Sequence, residues 1–288
     1  MLKKHNLNLM LLLGLAAAVV LSGCAGSLPE TVKGKPASLK VMTYNIHHAG
    51  GMDGKLDLDR IAAIIAREEP DIVGLNEVDN NFAERSNFLN EPKVLAEKLG
   101  MHYVYGPTLS SGDAEKPNQY GNALLSKFPI EKWSSHKLYR FENNEPRVCI
   151  EAVVKVGGAD YTVMVTHLDH RSNEGRAEQA RDIVELSADK PVRTILMGDF
   201  NAIPPGADES EQMVRSRPIS IILEKFSDSF VLAGAGEPGS NRDSSRRIDY
   251  VFVSEDLAEQ VVSCETIRTE QTKVASDHKP VVVVVIEN

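Results

Sequence analysis

The chain has 288 residues, 42% of them hydrophobic and 25% charged, with a formal net charge of −9. That length and balance suit a globular protein of one large α/β domain or two small ones. The acidic total excludes an overall electrostatic footprint for nonspecific nucleic-acid binding, although a local basic groove is compatible with it.

The first 24 residues read as a processing signal rather than as fold. Lys3 and Lys4 form a positive start, residues 9–21 are almost wholly apolar and too short to span a membrane comfortably, and Leu21-Ser22-Gly23-Cys24 follows. This order resembles a bacterial lipoprotein signal. The resemblance implies removal of residues 1–23, lipid on Cys24, and a place in the cell envelope; Ala25 after the Cys favours the outer membrane. An ordinary secretory signal with an incidental Cys is the alternative. Residues 24–38 then form a lipidated Cys and a flexible tether with Gly, Ser, Pro and Lys. Residues 39–288 carry no repeat and no long linker, and read as one domain. Cys149 and Cys264 sit in strand-like contexts and could pair after export or remain buried thiols.

In chain order, residues 39–46 predict a strand ending near Asn45. Residues 57–67 predict a helix, with Leu58, Ile61, Ile64 and Ile65 on one face. Residues 71–75 form a short apolar strand that runs into Asn76 and Glu77. A polar loop covers 79–90, and a short helix covers 91–99 between Asn90 and Gly100. After a strand at 101–105, residues 106–119 read as a mobile loop rich in Gly, Ser, Pro and charge. Strands at 120–125, 147–156 and 161–166 follow, the last two joined at Gly157-Gly158. A helix at 173–186, a strand at 192–197, a short helix at 219–226, and a Gly/Ser/Asn-rich loop at 234–245 come next. Strands at 248–253, 261–267 and 280–286 complete the chain. The last contains five consecutive valines, Val281 to Val285, directly after Ser276-Asp277-His278-Lys279-Pro280. Strands dominate and helices are spaced unevenly, which fits a two-sheet sandwich better than a strictly alternating barrel.

Polar residues recur where apolar strands begin or end: Asn45, Glu77, Asn122, His167, Asp199, Asn201, Asp249, Asp277 and His278. Any one of them is explicable as a turn residue. Nine on one scaffold point to a site built on strand ends. Carboxylates without a Cys ligand pattern suit a hard divalent ion, Mg²⁺ or Mn²⁺, over zinc. Two histidines supply proton transfer near neutral pH. No P-loop, Gly-x-Ser-x-Gly elbow or His-Glu-x-x-His helix is present, so metal-assisted hydrolysis of a phosphate ester is the reaction class that remains.

The stretches Thr43-Tyr44-Asn45-Ile46-His47, Asn76-Glu77-Val78-Asp79, Tyr120-Gly121-Asn122, Arg147, Thr166-His167-Leu168, Gly198-Asp199-Phe200-Asn201, Arg247-Ile248-Asp249-Tyr250 and Ser276-Asp277-His278 occur in this order. Together they resemble the endonuclease/exonuclease/phosphatase superfamily of DNase-I-like phosphohydrolases. The resemblance implies a four-layer α/β sandwich, two mixed sheets face to face with helices outside. It implies that Glu77 binds the divalent ion with help from Asn45 and Asp277. Asp199 would orient or deprotonate the attacking water, and Asn201 would hold that water or a phosphate oxygen. His278, oriented by Asp249, would contact the scissile phosphate. His167 would act as general acid or as a second phosphate contact, and Arg147 and Asn122 would face the phosphate. Asn76 stands where relatives commonly have Gln, a change expected to alter a neighbouring hydrogen bond. His167 stands where abasic-site endonucleases differ. His47 and His48 are further candidates for the pocket lining, and Asp169 and His170 for its rim.

The leading expectation is a monomeric, lipid-anchored, Mg²⁺-dependent phosphodiesterase or phosphatase acting on a small phosphate ester or a lipid head group. A surface nuclease with the same residues is the second expectation. A non-catalytic binding lipoprotein is the third, and it is disfavoured because no key carboxylate or histidine is missing.

Overall fold

The computed structural model describes residues 38–113, 117–188, 193–206 and 210–286. Cys24 and nearly all of the expected tether lie outside the described residues. Thirteen strands are described: β1 (Ser38–Asn45), β2 (Ile72–Asn80), β3 (His102–Gly112), β4 (Pro117–Ser126), β5 (Ile130–Lys137), β6 (Val148–Val156), β7 (Ala159–His167), β8 (Thr194–Asp199), β9 (Phe226–Asp228), β10 (Gly234–Ala235), β11 (Asp249–Ser254), β12 (Val261–Thr266) and β13 (Val281–Ile286). They form two mixed sheets, ordered β10-β12-β13-β1-β2-β4-β3 and β5-β6-β7-β8-β11-β9. Longer helices are α1 (Leu58–Glu68), α2 (Glu91–Leu99), α3 (Asn173–Ser187) and α4 (Ser210–Ile222).

The layers follow from alternation along the strands. In β1, Val41 faces one core cluster while Met42 and Tyr44 face another. In β8, Ile195 and Met197 point into the first cluster and Leu196 points away from it. The valine strand β13 behaves the same way, with Val281, Val283 and Val285 on the inner face and Val282 on the outer. The inner faces of both sheets therefore share one core. Ile61, Ile65 and Leu95 from α1 and α2 cover the outside of the first sheet. Ala177, Ile183 and Ile219 from α3 and α4 cover the outside of the second. This is the expected four-layer sandwich. Cys149 and Cys264 are buried thiols, on β6 and β12.

The sequence expectation fails at the exposed arms. Residues 106–119 are largely a long hairpin arm, because β3 runs to Gly112 and β4 starts at Pro117. Along its outer part Ser110–Gly112 are exposed and Pro117–Gln119 half-buried, so backbone pairing holds the arm without an apolar alternation to betray it. Strand β5 was not anticipated for the same reason: it is a polar edge strand. Helix α4 begins at Ser210, well before the expected 219, and carries Pro218 inside it. The polar stretch 79–90 retains the end of β2 and a 3₁₀ turn at Glu84–Ser86.

Two features aim side chains at one end of the sandwich. Pairing of β2 with β4 shifts register between Leu75 and Val78, and Glu77 takes a left-handed backbone with φ of 57°. A bulge of this kind re-aims a side chain out of the sheet alternation. Next to Asp199, Gly198 has φ of 146°, and a Cβ there would lie 1.8 Å from the Thr166 carbonyl oxygen. Strands β7 and β8 can approach this closely only with glycine at that position. Gly198→Ala should therefore destabilise the fold by about 3 kcal/mol, the upper end for overpacking. Urea denaturation measures the loss, and an unchanged midpoint would contradict the close approach.

Candidate active site

Strand direction explains why the polar strand ends meet. Parallel β1 and β2 both end at one edge, with Asn45 paired in register to Asn76. Parallel β7 and β8 end there with His167 opposite Asp199, and antiparallel β11 starts there with Asp249 opposite Asp199. Asp277 and His278 lie immediately before β13, which runs antiparallel to β1. Both sheets thus present these residues at the same end.

A pocket of about 350 Å³ opens at this end, and its walls include Glu77, Arg147, His167, Asp199, Asn201, Asp277 and His278. Asn45, Asn122 and Asp249 are buried beneath it rather than lining it. Tyr120, Glu145 and His170 also line the pocket. The first two were not singled out in the sequence, although each lies two residues from one that was. Arg246 is exposed and not part of the lining. Asp169, expected at the rim, is buried. Its side chain accepts hydrogen bonds from the Arg171 and Ser172 amides and from Asn144.

The two sheets are joined through amides. Asn45 Nδ2 donates to Glu77 Oε1 at 3.0 Å and to Asp199 Oδ2 at 3.1 Å, while its oxygen accepts from the His47 amide. In this orientation Asn45 ties two carboxylates together and offers no oxygen to the pocket. Asn76 Nδ2 donates to Asn122 Oδ1 and to the Thr166 carbonyl, and its oxygen accepts from the Asp199 amide at 2.9 Å. Asn122 thus braces Asn76 instead of facing a phosphate. The replacement expected to alter a neighbouring hydrogen bond is a cross-sheet strut.

Asp199 is the centre of the electrostatics. Its Oδ2 lies 3.4 Å from His167 Nε2 and 3.6 Å from His278 Nε2, and its Oδ1 accepts from the Asn201 amide at 2.9 Å. Burial raises its carboxyl above the usual range, and nearby Asp249 adds to this against the pull of His278. His278 Nδ1 donates to Asp249 Oδ2 at 2.8 Å. Burial alone would lower this ring, but Asp249 and then Asp199 outweigh it and push it up to about 10. His167 moves the other way: burial, then the charges of Arg147 and His278, hold it well below its usual range. Asn201 Nδ2 donates to His167 Nε2 at 3.0 Å and to the Leu168 carbonyl. One ring is therefore cationic and the other neutral, on either side of one carboxylate.

The pocket lining also carries Arg147, whose guanidinium pairs with Glu145 at 2.9 Å and meets His170 Nδ1 at 3.0 Å. Arg147 is 2% exposed, and its Nε has no hydrogen-bond partner among the described residues. An unsatisfied buried guanidinium edge in a polar pocket suits an anionic ligand. Oxygen donors are also at hand for a cation. Glu77 and Asp277 line the same pocket, and Glu77 is held beside a second carboxylate by a single amide. Such crowding of acidic oxygens fits a hard divalent ion.

In chelator, the charge on His278 should stabilise the fold. Its folded value lies above the ordinary 6.5, so the contribution is complete below that pH and is lost as pH rises to about 10. Asp249→Asn should reduce this dependence, leaving only the weaker pull of Asp199, and cost about 3–5 kcal/mol, as expected for breaking a buried pair. Denaturation of both proteins below and above the window tests it; parallel pH profiles would refute the pairing.

Comparison with known proteins agrees with this geometry. The model of the Endonuclease/Exonuclease/phosphatase family matches residues 42–278. A solved endonuclease/exonuclease/phosphatase from Beutenbergia cavernae is 28% identical, with a TM-score of 0.72 over 88% of this chain and 72% of that one. A mannosyl-6-phosphatase from Bacteroides thetaiotaomicron is 21% identical, with a TM-score of 0.66 over 86% of this chain and 100% of the other. An AP endonuclease from Archaeoglobus fulgidus is 20% identical, with a TM-score of 0.62 over 87% of this chain and 100% of that one. Among curated proteins, none matches. With the family model spanning most of its length, the chain belongs to the endonuclease/exonuclease/phosphatase family of phosphoester hydrolases.

Proposed function

We propose that this protein is a Mg²⁺-dependent phosphodiesterase or phosphatase that acts on a small or lipid-linked phosphate ester at the cell envelope. The observation that carries this reading is the single pocket in which Asp199 stands between a cationic His278 and a neutral His167, beside Glu77 and Asp277. A divalent ion held by Glu77 and Asp277 would polarise a phosphoryl oxygen and offset charge as the ester bond breaks.

The chain's own residues supply the remainder. Asp199 accepts the proton of the attacking water, a task for which a carboxyl raised by burial is suited near neutral pH. Asn201, anchored by its amide to Asp199, fixes the geometry of that water and of His167. Asp249 holds Nδ1 of His278, so Nε2 is left to donate to a phosphoryl oxygen whose negative charge is growing. A neutral His167 suits contact with the phosphate better than protonation of the leaving oxygen. Arg147 adds a fixed positive charge to the pocket lining.

The small pocket volume favours a compact head group. Glu145 in the pocket wall and the acidic total disfavour a polyanionic nucleic acid. The segment ending in Cys24 supports lipid anchoring, which would hold the pocket near membrane substrates.

Glu77→Ala and His278→Ala should each lower hydrolysis of bis-nitrophenyl phosphate by at least about a hundredfold, with thermal melting confirming that both fold. Chelator should abolish turnover and Mg²⁺ restore it. Full metal-dependent activity in either variant would refute the mechanism, and a panel of sphingomyelin, phosphoinositides and DNA separates the substrate classes. Cys24→Ala should move the protein from the membrane to the soluble fraction; retention in the membrane would end the anchoring proposal.

A further inference from the structure

The turn after β1 places two histidines against Glu77 in a way that the hydrolytic mechanism does not use. We infer that His47, His48 and Glu77 form a second cation position, one that selects a first-row transition dication by its nitrogen ligands. Glu77 would be shared with the oxygen-ligated position, so the inference rests on reading Glu77 as an ion-binding carboxylate.

The ligand atoms of the three residues all lie within 4.8 Å of one another. Two ligands of one tetrahedral ion at about 2.1 Å stand about 3.4 Å apart, so modest side-chain rotation closes the set. His47 Nδ1 donates to the Gly50 carbonyl at 2.9 Å. That bond fixes the tautomer and leaves the Nε2 lone pair free, the arrangement in which imidazole binds metal. His48 makes no hydrogen bond among the described residues, and its Nδ1 is buried without a partner. Glu77 commits Oε1 to Asn45, and its other oxygen has no hydrogen-bond partner among the described residues. Three donors therefore converge with unused lone pairs.

The backbone supports the same reading. His47, His48 and Ala49 have φ of 47°, 43° and 51°, and Glu77 has 57°. Consecutive non-glycine residues in this region are strained, and such strain gathers at ligand sites. The turn is what brings the two rings together, tilted by 52° with centroids 4.3 Å apart. The charge of Arg85 reaches both His48 and Glu77. Arg85 is already paired bidentately with Asp79 at 2.8 and 3.0 Å. Two imidazoles and one carboxylate prefer Zn²⁺, Co²⁺, Mn²⁺ or Fe²⁺ to Mg²⁺.

The test reads the ion rather than turnover. The untagged full chain, in detergent and stripped with chelator, is titrated with Co²⁺ in excess Mg²⁺ and followed by visible d–d absorption. One tightly bound Co²⁺ per chain is expected. His47→Asn and His48→Asn keep a residue that tolerates the left-handed turn, and each should weaken Co²⁺ binding more than about tenfold. Melting curves confirm folding, and retention of the Co²⁺ bands at unchanged midpoints in both variants overturns the site. Loss of the bands in His278→Ala alone assigns the ion to the Asp199 cluster and also overturns it. A chain that binds Co²⁺ at the pair yet hydrolyses no phosphate ester would refute the proposed function and leave this site standing.

Discussion

The carboxylate of Asp199 sets the terms for everything around it. It is 1% exposed, at the mouth of an apolar sandwich. A carboxylate carried there alone would cost several kcal/mol or would simply take up a proton. What answers it comes from three separate segments: the Asn45 side-chain amide from β1, the Asn201 backbone amide just past β8, and the His278 ring ahead of β13, while the Asp199 backbone amide itself donates to the Asn76 side chain from β2. Asn45 and His278 are remote from Asp199 in sequence and belong to the other sheet's segments. The charge is therefore tolerable only when both sheets are formed and in register. Site and fold are in this sense one cooperative object.

Register is what the valine strand contributes. A slip of one residue in β13 would turn Val281, Val283 and Val285 from the shared core toward the helices and would displace His278 from Asp249. The same holds for β8, where Ile195 and Met197 fix the depth at which Asp199 emerges. Hydrophobic alternation thus specifies catalytic geometry without contributing any chemistry. Glu77 needs a different device, because ordinary alternation would not bring it to the pocket. The bulge between Leu75 and Val78 supplies it, at a backbone cost of roughly 1 kcal/mol for the left-handed residue.

The legible part of the sequence was the part under burial constraint. Strands such as 39–46 and 161–166 are apolar because both faces are covered, and their polar terminators stand out by contrast. That contrast is why Asp199, His167, His278 and Glu77 could be gathered from sequence. The hairpin arm of β3 and β4 and the edge strand β5 have no such contrast, since solvent reaches both faces and backbone pairing alone defines them. At the site, residue types were legible and depth was not. Asn45, Asn122 and Asp249 carry the same signature as the pocket residues, yet they work from beneath, because which side of a strand end faces outward depends on bulges that composition does not encode. Tyr120 and Glu145 escaped for the opposite reason: each precedes a chosen residue by two and was overshadowed by it.

The opposed charge states of the two rings follow from position rather than from type. His278 has a carboxylate at each nitrogen, Asp249 at 2.8 Å and Asp199 at 3.6 Å, so its proton is held. His167 shares Asp199 but has Arg147 and His278 as its other charged neighbours and an Asn201 donor on Nε2, so its proton is shed. Reversing either assignment would place a cationic ring against Arg147 or leave Asp249 buried without a counter-charge. The arrangement can therefore adopt only one polarity, with the donor on the β13 side and the neutral ring on the β7 side. Arg147 and His278 line the pocket together with Asp199, so a phosphate entering it would meet two positive charges and one carboxylate. That asymmetry would orient an incoming phosphate before any ion or water is considered.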